Sequence, residues 1–265
     1  MNKLHLKLAT AFGKDLIKTQ DLDPVYTAMV ATRGNSQSRA LMFFAYTCLY
    51  HLGASTKIAG WDTLQTAATN EGLRWPRGSE RRHWRGANAQ ATIDYGRSKY
   101  ATPEEVVKYW ATGSLKFSAV SARVRELPAY GPWIAFKVAD MLERVMFMPV
   151  DFSDCALGVY DEPRKAAALL LTGDAEEKIT DAQLTQVIEK LRTTLGDLKA
   201  PPTFNRIINV QEIETLLCKY KSHVNGHYPH GKDTREVLHG LRDPRWDGPV
   251  TRKMIKALEA LPYAN

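Results

Sequence analysis

The chain has 265 residues, of which 44% are apolar and 25% charged, with a net charge of +7 and a pI near 9.2. That length buries a core in one large domain or two small ones, and the basic excess favours an anionic partner. No apolar run reaches the ~18 residues of a membrane span. The opening Met1-Asn2-Lys3-Leu4-His5 lacks the apolar stretch of a secretory leader, and three widely spaced cysteines (Cys48, Cys155, Cys218) give no disulfide or zinc framework. A cytoplasmic setting is expected.

Taken in chain order, the pattern predicts a mostly α protein. Ser36 to Leu52 carries a broad apolar surface (Leu41, Phe43, Phe44, Tyr46, Leu49, Tyr50), with Gly53 as its stop. Asp62 to Thr69 is a shorter helix that Asp62 caps, with Gln65 three residues on. Glu71 to Gly86 reads as a basic, aromatic loop broken by Pro76, Gly78 and Gly86. The charge concentrates here. Between Gly72 and Tyr100 stand seven cations (Arg74, Arg77, Arg81, Arg82, Arg85, Arg97, Lys99) against Glu80 and Asp94, a net +5 of the +7. Thr102-Pro103-Glu104-Glu105 starts the next helix, with Thr102 as its cap and acids in the first turn.

Leu127-Pro128-Ala129-Tyr130-Gly131-Pro132 then separates two apolar stripes. Upstream are Leu115, Val120, Val124 and Leu127. Downstream are Ile134, Ala135, Val138, Met141, Leu142 and Val145 at helical spacing. Gly131 permits a tight turn and Pro132 suits a first helical turn. Backbone N–H groups at such a start, aided by the helix dipole, suit a phosphate. Asp151 follows Gly131 by 20 residues. An ordinary helix–turn–helix, with Asp151 as a cap, is the competing reading.

This stretch resembles the hairpin of the helix-hairpin-helix DNA glycosylase superfamily, Leu-Pro-Gly-x-Gly followed about twenty residues later by a catalytic Asp. Leu127-Pro128-Ala129-Tyr130-Gly131 and Val150-Asp151 stand at those positions. Ala129 replaces the first hairpin Gly. Trp133 stands where lyase-type members carry a nucleophilic Lys. The resemblance implies a mostly α, glycosylase-like helical fold, with the helix-hairpin-helix at about 115–146. It also implies DNA binding through Tyr130, Gly131 and Trp133.

Further along, Pro163 to Leu171 is a short helix ended by Gly173. Asp181 caps a helix to Leu195, Pro201-Pro202 breaks the chain, and helices follow at Val210–Lys221 and Val250–Leu261. A helical body over 1–200 and a C-terminal helical segment over 201–265 packed on it, or one domain holding both, fits this pattern.

The densest chemistry runs from Glu212 to Asp233, where His223, His227 and His230 fall within eight residues. Lys219, Lys221, His223, His227 and Lys232 together suit a multiply charged phosphate group. Histidine is also the residue type that moves protons near neutral pH. The alternative is a solvated basic helix end, since cations favour helix C-termini. Cys218, His223, His227 and His230 have metal-ligand chemistry, but their spacing matches no zinc pattern, so no metal is assigned.

With Asp23-Pro24-Val25-Tyr26, Arg39 and Phe43–Leu52, this run resembles the phage alpha-glutamyl/putrescinyl thymine pyrophosphorylases, or amino acid:DNA transferases. The resemblance implies displacement of pyrophosphate from 5-(pyrophosphoryloxymethyl)uracil in DNA by an amine, without base excision. Its partners are double-stranded DNA carrying a modified base and a small amine donor; no cofactor is identified. Catalytic candidates are Asp151, His223, His227 and Lys219. Lys221, Lys232, Arg81 and Arg82 are candidates for the pyrophosphate, and Arg77 and Arg85 for further DNA phosphates. Trp75, Trp84 or Trp133 is placed to stack on a flipped base. A monofunctional DNA glycosylase, in which Asp151 steadies positive charge on the sugar, and a non-catalytic DNA-binding module remain the competing functions.

Overall fold

The computed structural model describes residues 1–32, 34, 36–71 and 87–264. In chain order its α-helices are α1 (Lys3–Thr19), α2 (Pro24–Ala31), α3 (Ser36–Leu49), α4 (Leu52–Ser55), α5 (Trp61–Thr66), α6 (Ala87–Lys99), α7 (Pro103–Trp110), α8 (Phe117–Val124), α9 (Pro132–Arg144), α10 (Asp161–Thr172), α11 (Asp181–Leu195), α12 (Val210–Val224), α13 (Lys232–Leu241) and α14 (Pro249–Glu259). Among the described residues there is no strand, only two isolated bridges, Lys116 with Asp151 and Lys199 with Ile207. The fold is mostly α, as the pattern predicts. No helix among the described residues is long and apolar enough to cross a membrane.

The chain divides into two compact units. Unit one comprises Met1–Asp23, Cys155–Lys232 and Leu261–Tyr263; unit two is chiefly Pro24–Asp154 and Asp233–Ala260.

In unit one, α1, α10, α11 and α12 pack on one another. Each contributes an apolar stripe: Phe12, Leu16 and Ile17; Leu169 and Leu170; Leu184, Val187, Leu191 and Leu195; Ile213, Leu216, Leu217 and Tyr220, all buried. The α11 cap falls at Thr180, one residue before the expected Asp181. The Gln183 N–H donates to Thr180 Oγ1 at 3.2 Å and the Thr180 N–H to Gln183 Oε1 at 2.9 Å. The Asp181 carboxylate is instead bonded to Arg164. α10 ends at Gly173 with φ +96°, the left-handed cap its sequence predicts. α12 starts where Glu212 accepts the Asn209 N–H at 2.7 Å and both Arg206 guanidinium donors at 3.0 Å.

In unit two, α3 is buried on almost every side and packs against α4, α6, α7 and α9, while α8 packs on α9 and α2 on α14. α3 was expected to run to Leu52 and stop at Gly53. It ends at Leu49, Tyr50 turns the chain at φ +51°, and α4 restarts with His51 Nδ1 accepting the Ala54 N–H at 3.1 Å. Gly53 therefore lies inside α4. Its role is close approach, since a Cβ there would sit 2.4 Å from Cδ1 of the buried Trp246 ring. α5 is also capped differently from expectation. Thr63 Oγ1 accepts the Ala59 and Gly60 N–H groups at 2.8 and 3.1 Å, and Asp62 pairs with Arg97 at 2.7 Å. At α7, Thr102 is the cap residue, but its side chain makes no cap bond. The Glu105 carboxylate reaches back to the Ala101 N–H at 2.9 Å.

Gly53→Ala is expected to destabilise the protein by about 2 kcal/mol, because overpacking a rigid buried ring typically costs 1–3 kcal/mol. The shift of the urea unfolding midpoint at constant slope measures it.

Candidate functional site

Unit two carries the hairpin and Asp151. α8 and α9 are joined by 125–131. Leu127 and Tyr130 of this connection are buried, and the Tyr130 hydroxyl donates to Thr47 Oγ1 at 3.0 Å. Thr92 Oγ1 donates to the Pro128 carbonyl at 2.6 Å and pins the turn. The left-handed residue is Ala129, at φ +62°, whereas Gly131 is extended at φ −82°. The tight backbone was expected at Gly131, but Ala129 makes the turn despite its Cβ, a conformation costing about 1–2 kcal/mol in a residue other than glycine.

This geometry sorts the expected DNA contacts. The Tyr130 side chain is withdrawn into the core and its N–H donates to the Leu127 carbonyl at 3.1 Å. Gly131 is half-buried, no described residue accepts from its N–H, and a Cβ there would meet nothing within 4 Å. Trp133 is half-buried, its ring 5.8 Å from that of Tyr50. Arg77, Arg81, Arg82, Arg85, Trp75 and Trp84 lie outside the described residues.

Asp151 is tied to the start of α8. Its N–H donates to the Leu115 carbonyl at 2.9 Å, and its carbonyl accepts the Phe117 N–H at 2.8 Å. The following Phe152 is buried, stacked on Phe117 at 5.3 Å and edge-on to Phe136 at 5.8 Å. Alternation along an extended segment then turns Asp151 and Ser153 outward, and both are exposed. The Ser153 N–H and hydroxyl each donate to the Asp151 carboxylate at 2.9 Å. These bonds, with a smaller contribution from the Lys116 charge, hold the carboxyl below its ordinary range. Asp151 is thus a lasting anion near neutral pH and a weak base. It suits the attraction of a cation better than the taking of a proton.

α9 is fixed by a cluster that the sequence did not suggest. The buried Asp140 accepts from the Tyr26 hydroxyl at 2.8 Å and lies 3.5 Å from Arg144, whose guanidinium stands 4.6 Å from the centre of the Tyr26 ring. Tyr26 belongs to the Asp23–Tyr26 run, and its contact is 114 residues away.

Unit one carries the histidine run. Lys219, expected to be catalytic, is buried and structural, with Nζ donating to the Asp21 carbonyl at 2.6 Å and to Tyr228 Oη at 2.8 Å. The fully buried Asp21 carboxylate accepts the Tyr228 hydroxyl at 3.1 Å and the Gly231 N–H at 2.9 Å. His223 Nδ1 lies 2.8 Å from the Tyr228 carbonyl. A carbonyl only accepts, so Nδ1 carries the proton. The ring stacks on Phe12 at 4.3 Å. Lys221 pairs with Glu162 at 2.5 Å, and Lys232 Nζ donates to the His227 carbonyl at 2.9 Å. His227 is exposed. Four of the five groups expected to hold a pyrophosphate are therefore engaged by the protein itself. His230, whose residue type suits a metal, is instead bonded to Asp15 through Nδ1 at 2.6 Å, and Asp15 also accepts the Tyr263 hydroxyl at 3.0 Å. Asp15 lies 215 residues from His230 in the chain, so no local spacing announces the pair.

Residues 51–228 match the model of a family described as amino acid:DNA transferase. The chain belongs to the amino acid:DNA transferase family. It is similar to a glycinyltransferase of Pseudomonas phage PaMx11, 37% identical over 89% of this chain and 91% of that one. It is also similar to a putrescinyltransferase of Delftia phage PhiW-14, 31% identical over 84% of this chain and 74% of that one. This transferase is therefore an enzyme of DNA modification, and the matched span holds both the hairpin and most of the histidine run.

Ser153→Ala is expected to raise the Asp151 pKa part of the way toward the ordinary carboxylate value, since the hydroxyl bond is lost while the larger contribution, the backbone N–H of residue 153, remains. The sign follows: a depressed carboxyl loses its charge only as pH falls through its lowered pKa, so raising that pKa moves the acid limb of the pH–rate profile to higher pH. An unmoved acid limb would remove Asp151 from the ionisations that control the rate.

Proposed function

We propose that this transferase joins a primary amine to a thymine-derived base in DNA by displacing pyrophosphate from 5-(pyrophosphoryloxymethyl)uracil. The observation that carries the reading is near full-length kinship to two phage enzymes named for amine groups, glycinyl and putrescinyl. The higher identity to the glycinyltransferase makes glycine the first donor to test. The donor ammonium first loses a proton, the amine nitrogen attacks the exocyclic methylene, the C–O bond to pyrophosphate breaks with its electron pair leaving on oxygen, and the new ammonium releases a second proton.

The α8–α9 hairpin is assigned as a helix-hairpin-helix element, with the Gly131 N–H directed at a DNA phosphate. The target base leaves the stack to expose its methylene. Asp151 is assigned to hold the cationic donor, or positive charge that develops as the leaving group departs, by Coulomb attraction. The protons released pass to solvent. Because Lys219 is buried and Lys221 and Lys232 are already engaged, the charge of the leaving pyrophosphate is assigned mainly to Arg81 and Arg82.

Incubation with DNA bearing the pyrophosphorylated base and mixed amines, followed by nucleoside mass spectrometry, is expected to give a thymidine adduct heavier by one amine, with pyrophosphate released. Free base and abasic sites would overturn this reading in favour of a glycosylase. Gly131→Ala is expected to leave the unfolding midpoint within about 0.5 kcal/mol of the parent, as for a surface change in open space. It should nevertheless weaken DNA binding several-fold in fluorescence anisotropy, because the added methyl group stands where the phosphate approaches.

A further inference from the structure

The first helix carries Lys3, Lys7, Lys14 and Lys18. At 3.6 residues per turn these four positions fall within an arc of about 60° on one face, and a rise of 1.5 Å per residue spreads them over about 22 Å. All four are exposed. None has a hydrogen bond or ion pair with any described residue, whereas Lys57, Lys165, Lys219 and Lys221 each meet an oxygen of the protein. Asp15, the one acid of α1, lies about 120° from Lys3 around the helix but one turn (i, i+3) from Lys18, and is bonded to His230 and Tyr263.

Two further facts make this more than a solvated face. Lys3, Lys7 and Lys14 line an open groove of about 410 Å³, with Leu6, Thr10 and Ala11 of α1 and Thr194 of α11. No acid lines it. The stripe also begins in the first turn of α1, which holds no acidic residue, where cations oppose the helix dipole, and it pairs like charges four residues apart twice over. Both arrangements weaken the helix unless an anion lies along it.

We propose that this stripe is a DNA-backbone contact carried by unit one, in addition to the hairpin carried by unit two. The inference rests on the reading of the protein as an enzyme acting on DNA. A strand offers one phosphate per ~3.4 Å of duplex axis, so the ~22 Å stripe spans about six nucleotides. The lysines that line the groove offer charge to a ribbon of phosphates, while the surface of the groove itself is mostly apolar. The exposed Leu4 and Leu8, 63% and 47% accessible, lie to one side of the stripe, so the outcome to guard against is a lipid surface.

The test uses the full chain and a variant carrying Lys3→Gln, Lys7→Gln, Lys14→Gln and Lys18→Gln; glutamine keeps helix propensity. Binding to a 40-base-pair duplex is followed by anisotropy across a salt series. The expected result is a slope of log K against log salt reduced by about 3–4, roughly 0.9 per lost phosphate contact, with affinity lower by more than tenfold near 0.1 M salt. An unchanged slope and affinity would overturn the inference while leaving the transferase reading intact. Loss of binding to phosphatidylserine vesicles with unchanged DNA binding would also overturn it, in favour of a membrane contact. Failure of the parent chain to bind DNA or form an adduct would instead sink the transferase reading itself. Should the fourfold variant unfold, Lys7→Gln with Lys14→Gln is read in the same way, with a slope reduced by about 2.

Discussion

The carboxylate of Asp21 has no exposure to water, and a buried carboxylate must be met by donors at close range. Tyr228 and the Gly231 N–H supply them, while Lys219 bonds the Asp21 carbonyl and the Tyr228 hydroxyl. One cluster thereby fastens the end of the α1–α2 connection, helix α12 and the loop after it. His223 depends on that arrangement, since the carbonyl that fixes its ring belongs to Tyr228. The histidine run is ordered by a lysine and an aspartate that never face the solvent. Lysine type alone could not distinguish this holding role from a catalytic one.

Unit two solves a different problem. Asp151 must be exposed and yet held in place. Burying its neighbour Phe152 between Phe117 and Phe136 anchors the segment by apolar contact, and the backbone bonds to Leu115 and Phe117 set its register. The Ser153 bonds then lower the pKa of a carboxyl that is already ionised near neutral pH. The arrangement keeps Asp151 anionic but makes it a poor proton acceptor, which favours an electrostatic role over the general-base role that its position alone allows. The same hairpin and the same carboxylate would serve a glycosylase equally well. The assignment to amine transfer therefore rests on family kinship and not on the hairpin.

Charge is divided between the units in a way that net charge conceals. The arginine-rich stretch 72–100 belongs to unit two, whereas the lysine stripe of α1 belongs to unit one. Many of the remaining cations are taken up internally: Lys219 by Asp21, Lys221 by Glu162, Arg206 by Glu212, Arg164 by Asp181. Unengaged cations on one face point to an external anion more directly than a basic pI does.

The sequence by itself determined the helical class, the positions of α3, α10, α11, α12 and α14 to within a few residues, and the hairpin between α8 and α9. These follow from local periodicity, prolines and glycines, which act within a turn or two of chain. It did not yield α1, α2, α6 or α13; α2 is only eight residues long, while the apolar stripe of α1 is present in the sequence and went unread. It looked to Gly131 for the tight backbone, whereas the left-handed residue is Ala129, in a turn that the distant Thr92 and Thr47 hold through Pro128 and Tyr130. Only the tertiary structure decided that Lys219 is internal, that Gly53 yields to Trp246, and that His230 pairs with Asp15. Each depends on a partner about two hundred residues away in the chain, and a side chain's residue type does not reveal which distant group will meet it.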